Sequence, residues 1–396
     1  MKWEKVKLGD VCEITSSKRI FYSEYVDDGV PFYRSKEIIE SDEGKIIENP
    51  LYISVDKYNE IKEKFGVPQT GDMLLTSVGT IGIPYIIKKK DCFYFKDGNL
   101  TWFRDFREGL NSKYLYYWIK SSEGTGTLYN TTIGSSQKAL TISALKNIKV
   151  SLPPRSVQDK IVEVVSVYDD LIENNQKQIK LLEEAGQRLY KEWFVDLRFP
   201  GHENTKIVDG VPEGWNEKTL SQVADVIMGQ SPKSEFYNSE KKGLPFHQGV
   251  GSYGVRFVMD DIYSTSYTQI AEPNSILFSV RAPVGRLNIT KNKVVIGRGL
   301  AAINQTDGCQ SYLYYLLKNK FFRDNIVGNG SIFASVSKDE LLNQKFLIPE
   351  RNLMMRFEKI VSQMDKQIEN LDSKNKKLIE ARDRLLPKLM SGEVEV

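Results

Sequence analysis

Two stretches of the sequence, SVYDDLIENNQKQIKLLEEAGQRL (166–189) and SQMDKQIENLDSKNKKLIEARDRL (362–385), decide how the chain is organised. Identical residues recur in them 196 positions apart: Asp169 and Asp365, Ile172 and Ile368, Leu182 and Leu378, Arg188 and Arg384. Neither stretch has an insertion relative to the other. Surface loops tolerate changes in length, whereas a helix packed along its length does not. The pattern therefore predicts one long helix that occurs twice in the chain.

In both stretches and in the residues that flank them, apolar residues are spaced alternately four and three apart, with two interruptions in each copy; this is the heptad pattern of paired helices. The first series is Ile161, Val165, Tyr168, Ile172, Asn175, Ile179, Leu182, Gly186, Leu189 and Trp193, and the second is Phe357, Val361, Met364, Ile368, Leu371, Asn375, Leu378, Arg382, Leu385 and Leu389. At 1.5 Å per residue, each helix would be roughly 50–60 Å long. Prolines 153, 154 and 349 precede the helices, where proline is favoured. Pro387 is expected to end or kink the second helix.

An antiparallel pairing fits the two helices better than a parallel one. If the numbers of facing residues add up to 550, Asn175 faces Asn375, and the two amides can bond to each other. A parallel alignment would instead place Asn175 against Leu371. Because a slip leaves an amide without a partner, the asparagine pair is predicted to fix the register. The predicted contact residues are Ile172, Asn175, Ile179, Ile368, Leu371 and Asn375, and Gly186 is expected to face Met364.

The rest of the chain is duplicated too, although with changes in length. Trp3 recurs as Trp215, and YLYYWIK (114–120) recurs as YLYYLLK (312–318). The YLYY segments are predicted to be short helices that face a core. Apolar runs at 73–76, 276–280 and 294–296 are typical of strands. The predicted fold class is α+β, with two similar mixed α/β domains separated by two long antiparallel coiled-coil helices.

Composition excludes several classes of protein. The chain has 396 residues, 40% of them hydrophobic, and a net charge of only +3, so any basic surface must be local. The N-terminal sequence has no signal-peptide core, and the most apolar stretch is too short and too interrupted to span a membrane. The three cysteines are widely separated, which argues against a disulfide framework or a zinc knuckle. A reducing cytoplasm is the expected location.

No motif predicts catalysis, a metal site or a bound cofactor in this chain. Gly249–Gly254 matches GxGxxG, but Pro245 stands just upstream and a strand-like run, RFV (256–258), follows in place of the helix, so it is interpreted as a turn. Asn49–Tyr52 departs from the Asn-Pro-Pro-Tyr motif of amino-methyltransferases at its third residue, and Glu60-Ile-Lys62 is better explained as a solvated face. With only two histidines, histidine metal sites and Ser-His-Asp triads are nearly excluded.

Polar and basic residues in loops form the candidate binding surface, because such side chains hydrogen-bond phosphates and base edges of double-stranded DNA. In the first domain they are Lys18, Arg19, Arg34, Ser35, Lys36, Ser77, Thr80, Ser135, Ser136, Gln137 and Lys138. In the second they are Gln230, Ser231, Lys233, His247, Gln248, Tyr253, Arg256, Arg281, Arg286, Arg298, Ser331, Ser335 and Lys338. The two sets lie at equivalent places but differ in kind, which predicts two recognition surfaces on one scaffold.

An ordered series of motifs carries a family resemblance. It comprises Trp3-x4-Leu8-Gly9-Asp10-Val11 and its second copy from Trp215, GTIG (79–82), FHQG (246–249), WFVD (193–196) and LLPKLMSG (385–392). In this order the motifs resemble the specificity subunits of type I restriction-modification systems, over essentially the whole chain. The sequence departs from the family pattern at Arg155-Ser-Val and at Ile348-Pro-Glu, where the two long helices begin, and neither departure changes the assignment.

The resemblance implies target-recognition domain 1 at 1–153, a central spacer helix at 154–200, target-recognition domain 2 at 201–349 and a C-terminal spacer helix at 350–396. Each domain would recognise one half of an asymmetric, bipartite DNA site. The helices would set the spacer and dock two methyltransferase subunits, which bind S-adenosylmethionine and methylate adenine N6. Restriction subunits that translocate DNA, with ATP and Mg, would join them. This chain itself is then expected to be non-catalytic.

Two other interpretations of the sequence stay open at this point. One is the recognition subunit of a related bipartite restriction-methylation enzyme outside type I, which neighbouring genes would distinguish. The other is a coiled-coil scaffold whose duplicated domains bind proteins. Only a scaffold of that kind would lack salt-dependent DNA binding, because phosphate contacts make binding weaken with salt.

Overall fold

A computed structural model describes residues 3–42, 47, 49–134, 138–321 and 335–396. The chain forms two compact units, Met1–Lys177 with Leu371–Val396, and Gln178–Asn370. We call them unit 1 and unit 2. Each unit contains one mixed α/β domain and a part of each long helix.

The domain of unit 1 alternates short strands and helices. Its strands are β1 (Glu4–Lys7), β2 (Glu13–Thr15), β3 (Tyr25–Val26), β4 (Val30–Tyr33), β5 (Leu51–Ile53), β6 (Met73–Thr76), β7 (Pro84–Ile86), β8 (Tyr94–Phe95), β9 (Leu100–Arg104) and β10 (Lys149–Leu152). Its helices are α1 (Leu8–Val11), α2 (Ser35–Asp42), α3 (Val55–Phe65), α4 (Ser112–Lys120), α5 (Ser122–Thr131) and α6 (Ile142–Asn147). The first long helix, α7 (Arg155–Tyr190), follows and ends in a π-helical turn, Lys191–Val195.

The domain of unit 2 repeats this alternation of short strands and helices. Its strands are β11 (Ile207–Val208), β12 (Val211–Pro212), β13 (Asn216–Thr219), β14 (Ala224–Met228), β15 (Tyr237–Asn238), β16 (Leu244–His247), β17 (Tyr263–Ser264), β18 (Ile270–Ala271), β19 (Ile276–Ser279), β20 (Leu287–Ile289), β21 (Val294–Ile296), β22 (Leu300–Gln305) and β23 (Lys345–Ile348). Its helices are α8 (Leu220–Val223), α9 (Gln310–Phe321) and α10 (Lys338–Leu342), and the second long helix is α11 (Arg351–Ser391).

Sheet topology shows that the two domains are copies of one fold. In unit 1 the strand orders are β1-β10, β2-β9-β6-β7 and β3-β5-β4-β8. In unit 2 the corresponding orders are β13-β23, β14-β22-β19-β20 and β15-β17-β16-β21, with β18 added at the edge. The duplication predicted from the sequence is thus confirmed at the level of strand pairing, and so are the three predicted strands β6, β19 and β21.

The repeated YLYY segments are core helices, as predicted. Asn111 caps α4 by accepting hydrogen bonds from two backbone amides of its first turn, and Ser121 follows its last residue. Five residues of α4 are buried: Tyr114, Leu115, Tyr117, Trp118 and Ile119. In α9 the seven consecutive residues from Ser311 to Leu317 are all buried. Aromatic burial of this extent makes these helices the centre of each domain.

The two long helices run antiparallel, with the predicted register. In unit 1, Asn175 Nδ2 donates to Asn375 Oδ1 at 2.7 Å, and Ile161 and Leu389 belong to one buried cluster. In unit 2, the rings of Trp193 and Phe357 lie 5.9 Å apart. In each of these pairs the two residue numbers add up to 550, as predicted for the antiparallel register. Of the six predicted contact residues, Asn175 is half-buried. The other five are buried: Ile172, Ile179, Ile368, Leu371 and Asn375.

Two details of the helices differ from expectation. The second helix continues four residues past Pro387, to Ser391, because a proline this near the end removes only one hydrogen bond of the last turns. The atoms nearest to Gly186 belong to Tyr315 rather than to Met364: a Cβ at Gly186 would lie 2.3 Å from the Tyr315 hydroxyl.

The first repeat has Gly186 at the position where the second repeat has Arg382. As a result, equivalent aspartates in the two units pair with different arginines. In unit 1, Asp169 accepts a hydrogen bond from Arg382 Nη1 at 2.6 Å and from the Tyr117 hydroxyl at 2.7 Å. The repeat counterpart of Arg382 is Gly186, so the counterpart aspartate in unit 2, Asp365, needs another cation. Arg256 supplies it, with Nη2 at 2.6 Å from Asp365 Oδ1. Each aspartate is thus neutralised, but from a different source.

Among the helices that the structure describes, none is both long and apolar enough to cross a membrane. Over the same residues, no three His, Cys, Asp or Glu side chains are grouped so that they could hold a metal ion.

Candidate functional site

In unit 1, predicted binding residues gather where two parallel strands end. β4 and β8 pair in parallel, and the amide of Lys96, just after β8, donates to the carbonyl of Tyr33 at 2.9 Å. Arg34 directly follows β4. Because parallel strands end at one edge, the residues that follow them lie close together. The loop after β2 joins this edge, since the Lys18 amide donates to the Tyr94 hydroxyl at 2.7 Å.

Two basic side chains at this edge are held in place by carboxylates. Arg19 Nε lies 2.9 Å from Asp97 Oδ2, and its side chain is 69% exposed. Arg34 Nη2 lies 2.6 Å from Oε1 of Glu37, which is buried. Burial alone would raise the pKa of the Glu37 carboxyl, but the hydrogen bonds from Arg34 lower it below its ordinary value. The carboxylate therefore stays charged and orients an arginine that is still partly exposed.

Unit 2 builds the same edge with different side chains. β16 and β21 pair in parallel, and the amide of Gly297 donates to the carbonyl of His247 at 2.8 Å. Gln248 and Arg298 follow these strands and are exposed. The loop after β14 joins them, because the Arg298 amide donates to Ser231 Oγ at 3.2 Å. A glutamine and an arginine on a fixed backbone are suited to adenine and guanine edges, respectively.

A glycine explains why the backbone can close so tightly at this edge. A Cβ at Gly299 would lie 2.3 Å from the carbonyl oxygen of Gln248. Any other residue would push the Gln248 loop away from the end of β21. Gly297, two residues earlier, is tightly packed as well, since a Cβ there would lie 2.9 Å from Ser231 Oγ. The exposed side chains are therefore carried by a closely packed backbone.

A second turn, after β6 or β19, extends this surface in both units. In unit 1 the carbonyl of Asn99 accepts from the Ser77 amide at 2.8 Å and from Ser35 Oγ at 3.4 Å. In unit 2 the Val280 amide donates to the carbonyl of Gly299 at 2.9 Å. Each turn carries an exposed predicted residue, Thr80 in unit 1 and Arg281 in unit 2. We call the strand ends and the turn together the recognition edge of each unit.

Three predicted binding residues are buried, and a fourth, Tyr253, is half-buried with its hydroxyl enclosed. Ser77 Oγ bonds Thr101 Oγ1 at 2.6 Å inside the sheet. His247 is 1% exposed and is held between Ser252 Oγ and Asp260 Oδ1. Arg256 is 2% exposed and is enclosed by Asp365, Glu183 and the Tyr314 ring. The Tyr253 hydroxyl is also buried, and burial raises its pKa well above the ordinary value.

Because these side chains are enclosed, their prediction as DNA-binding residues is corrected. A buried arginine is stable only with its carboxylates, so Arg256 cannot leave them for a phosphate. We therefore assign Arg256 and Ser77 structural roles. His247 lies directly before Gln248, so its two hydrogen bonds position that residue instead of contacting a ligand. Tyr253 Oη, in turn, points into the unit and not outward.

The other predicted residues are scattered or fall outside the described chain. Lys36 is exposed and pairs with Glu40 at 3.5 Å, and Lys138 Nζ lies 3.5 Å from the centre of the Tyr129 ring. The remaining described candidates are Gln230, Lys233, Ser335 and Lys338, which are exposed, and Arg286, which is half-buried. Ser135, Ser136, Gln137 and Ser331 lie outside the described residues. Sequence reasoning missed Lys96 and Asp97, which follow β8; the YF run before them was the available signal.

One face of α7 in unit 1 is apolar yet exposed. Val164, Val167 and Leu171 are spaced three and four residues apart, so they lie on one side of the helix. They are 37%, 53% and 45% exposed, respectively. Contiguous apolar side chains at the surface are typical of a face that another protein covers.

Comparison with known proteins gives a single consistent result. The family model "Type I restriction modification DNA specificity domain" matches residues 1–184 and 212–381. The chain is 27% identical to the type I restriction enzyme MjaIX specificity subunit of Methanocaldococcus jannaschii, over all of this chain and 94% of that protein. It is 24% identical to the HindI specificity subunit of Haemophilus influenzae, over 64% of this chain and 71% of that protein. A crystal structure of a type I S subunit from M. genitalium has the same fold, with a TM-score of 0.58, 17% identity and coverage of 98% and 96% of the two chains.

Proposed function

The chain belongs to the type I restriction-modification DNA specificity domain family, and from that premise we propose that its two recognition edges bind the two halves of an asymmetric DNA site. One observation supports the division most directly. The same edge of the same fold carries Lys18, Arg19 and Arg34 in unit 1, but Gln248 and Arg298 in unit 2. Identical scaffolds with different hydrogen-bonding groups select different bases.

The finer assembly is also a proposal. The exposed apolar face of α7 supports docking of a methyltransferase subunit on the long helices, and α11 would dock a second one. S-adenosylmethionine would be bound by those subunits, which methylate adenine N6, and ATP and Mg by restriction subunits. The chain contributes recognition and assembly in the cytoplasm, as a non-catalytic subunit. Residues 1–153 and 201–349 would be the recognition domains and the two helices the spacer.

The proposal is tested by mapping methylated adenines in cells that express the chain with its methyltransferase. We expect Gln248→Ala and Arg298→Ala each to weaken discrimination in one half-site by about 1–3 kcal/mol per lost base contact. Arg34→Ala should affect only the other half-site. Lys62→Ala, on the exposed face of α3 and outside the edges, is the matched control. If a substitution in one unit changes both half-sites, the assignment of one half-site to each unit is wrong.

A further inference from the structure

Unit 1 contains a large apolar groove at its first tryptophan, Trp3. The groove has a volume of about 850 Å³ and is lined by Trp3, Val6, Leu152, Pro153, Val157 and Leu389, among others. The equivalent place in unit 2 begins at Trp215, the repeat counterpart of Trp3, and includes Lys218 and Ile348, the counterparts of Val6 and Leu152. The two copies of this place can therefore be compared residue by residue.

The repeat shows what fills the place in unit 2. After α7 the chain continues as Leu-Arg-Phe-Pro (197–200), and this segment folds back on Trp215. The ring of Phe199 lies 5.5 Å from that of Trp215, and both side chains are buried. The filler is thus an aromatic side chain on a non-helical segment, which lies against the tryptophan that begins the domain.

Unit 1 has the tryptophan but not the aromatic filler. Trp3 is the equivalent of Trp215 and is only half-buried. The equivalent of Phe199 is Glu395, a charged residue at the rim of the groove. Among the described residues, no aromatic side chain takes the position against Trp3 that Phe199 takes against Trp215. The groove is shaped for a ring that this part of the chain does not provide.

The groove adjoins the apolar face of α7 described above. Val157, in its wall, precedes Val164 by seven residues, or two helical turns, so both lie on the same side of the helix. From Val157 the exposed apolar face continues through Val167 to Leu171. A partner that covers this face would therefore lie within two helical turns of the groove.

We propose that the unit 1 groove binds an aromatic side chain on a non-helical segment of the methyltransferase subunit, and so imitates Phe199 against Trp215. The inference rests on the proposed docking of that subunit on the long helices. The ring would stack on Trp3 between Leu152 and Val157. It would provide the buried aromatic anchor that tight protein interfaces usually contain.

The test uses the full chain and measures its affinity for the separately purified methyltransferase. One variant, V394R/E395F/V396P, copies residues 198–200 into the tail and lets the chain fill its own groove. Its control, V394R/E395A/V396P, differs only in lacking the ring. A second variant, Val157→Arg, places a charge in the wall, and Val55→Arg, at an exposed valine of α3, is its control.

We expect the ring-bearing tail and Val157→Arg each to weaken assembly about tenfold or more relative to their controls, as loss of an aromatic anchor does. Val396 packs against the core of unit 1, but both tail variants carry the same changes at Val394 and Val396, so any effect of those changes on folding is common to both. If either variant assembles as tightly as its control, the groove is not the docking site. The unmodified chain and methyltransferase are the reference for function. If these two proteins fail to assemble or to methylate a defined DNA site, the proposed function is wrong, and not only the role of the groove.

Discussion

The asparagine pair between the long helices predicts an asymmetric response to mutation. Asn375 is buried at 7% exposure, whereas Asn175 is only half-buried. Replacing Asn175 with leucine leaves Asn375 Oδ1 without its donor and away from water. An unsatisfied buried acceptor costs about 1–3 kcal/mol. Replacing Asn375 with leucine instead leaves Asn175 able to turn towards solvent, so it should cost little.

The double variant, Asn175→Leu with Asn375→Leu, completes the cycle. Both amides are then gone and the contact becomes apolar, which is close to neutral when shape is kept. We therefore expect the order of destabilisation to be Asn175→Leu, then Asn375→Leu, then the double variant. The coupling between the two sites should be about as large as the cost of the first substitution.

Hydrogen exchange of α7 amides near residue 175 measures this locally, since local opening sets the exchange rate. A loss of about 1–3 kcal/mol corresponds to exchange that is roughly 5- to 150-fold faster, at 1.4 kcal/mol per factor of ten. Asn174→Leu, one position away at an exposed residue, is the matched control. If Asn375→Leu accelerates exchange as much as Asn175→Leu, the argument from unequal burial is wrong.

Three further predictions concern the long helices and the side chains that contact them. Cysteines at 175 and 375, in a chain without Cys12, Cys92 and Cys309, should crosslink under mild oxidation while a 175/371 pair does not; the reverse result would refute the register. Adding one heptad to α7 lengthens it by roughly 10 Å and should lengthen the DNA spacer by about three base pairs, as methylation mapping would show; an unchanged spacer with retained activity would refute the proposed spacer role. Arg256→Met leaves Asp365 and Glu183 without their cation and should destabilise unit 2 by about 3 kcal/mol in thermal unfolding, whereas the exposed control Arg298→Met should not.

The sequence predicted those features whose signal lies within one continuous stretch. Heptad spacing specified both long helices, and the asparagine in each series, Asn175 and Asn375, was enough to choose direction and register. Apolar runs such as Met73–Thr76 gave strands for the same reason. Local periodicity carries this information because side chains on one face of an element share one environment.

The candidate site was harder to predict, because exposure is set by partners far away in sequence. Arg256 looks like any basic loop residue until Glu183 and Asp365, 73 and 109 residues away, are placed around it. His247 has two ordinary neighbours, Ser252 and Asp260, but its burial depends on sheet packing that no local pattern reveals. Conversely, Lys96 was not predicted, because its place at the recognition edge follows only from the parallel pairing of β4 with β8.

The different ion pairs of Asp169 and Asp365 have a consequence for how the two halves of the chain would behave as separate chains. If the first half of the chain paired with a second copy of itself, Asp169 would face Gly186 and lose its cation. If the second half did so, Arg382 would meet Asp365, which Arg256 already neutralises. Charges balance only when the two unlike halves combine. After duplication, the two copies have thus diverged into complementary partners, so that halves produced as separate chains should select each other over themselves.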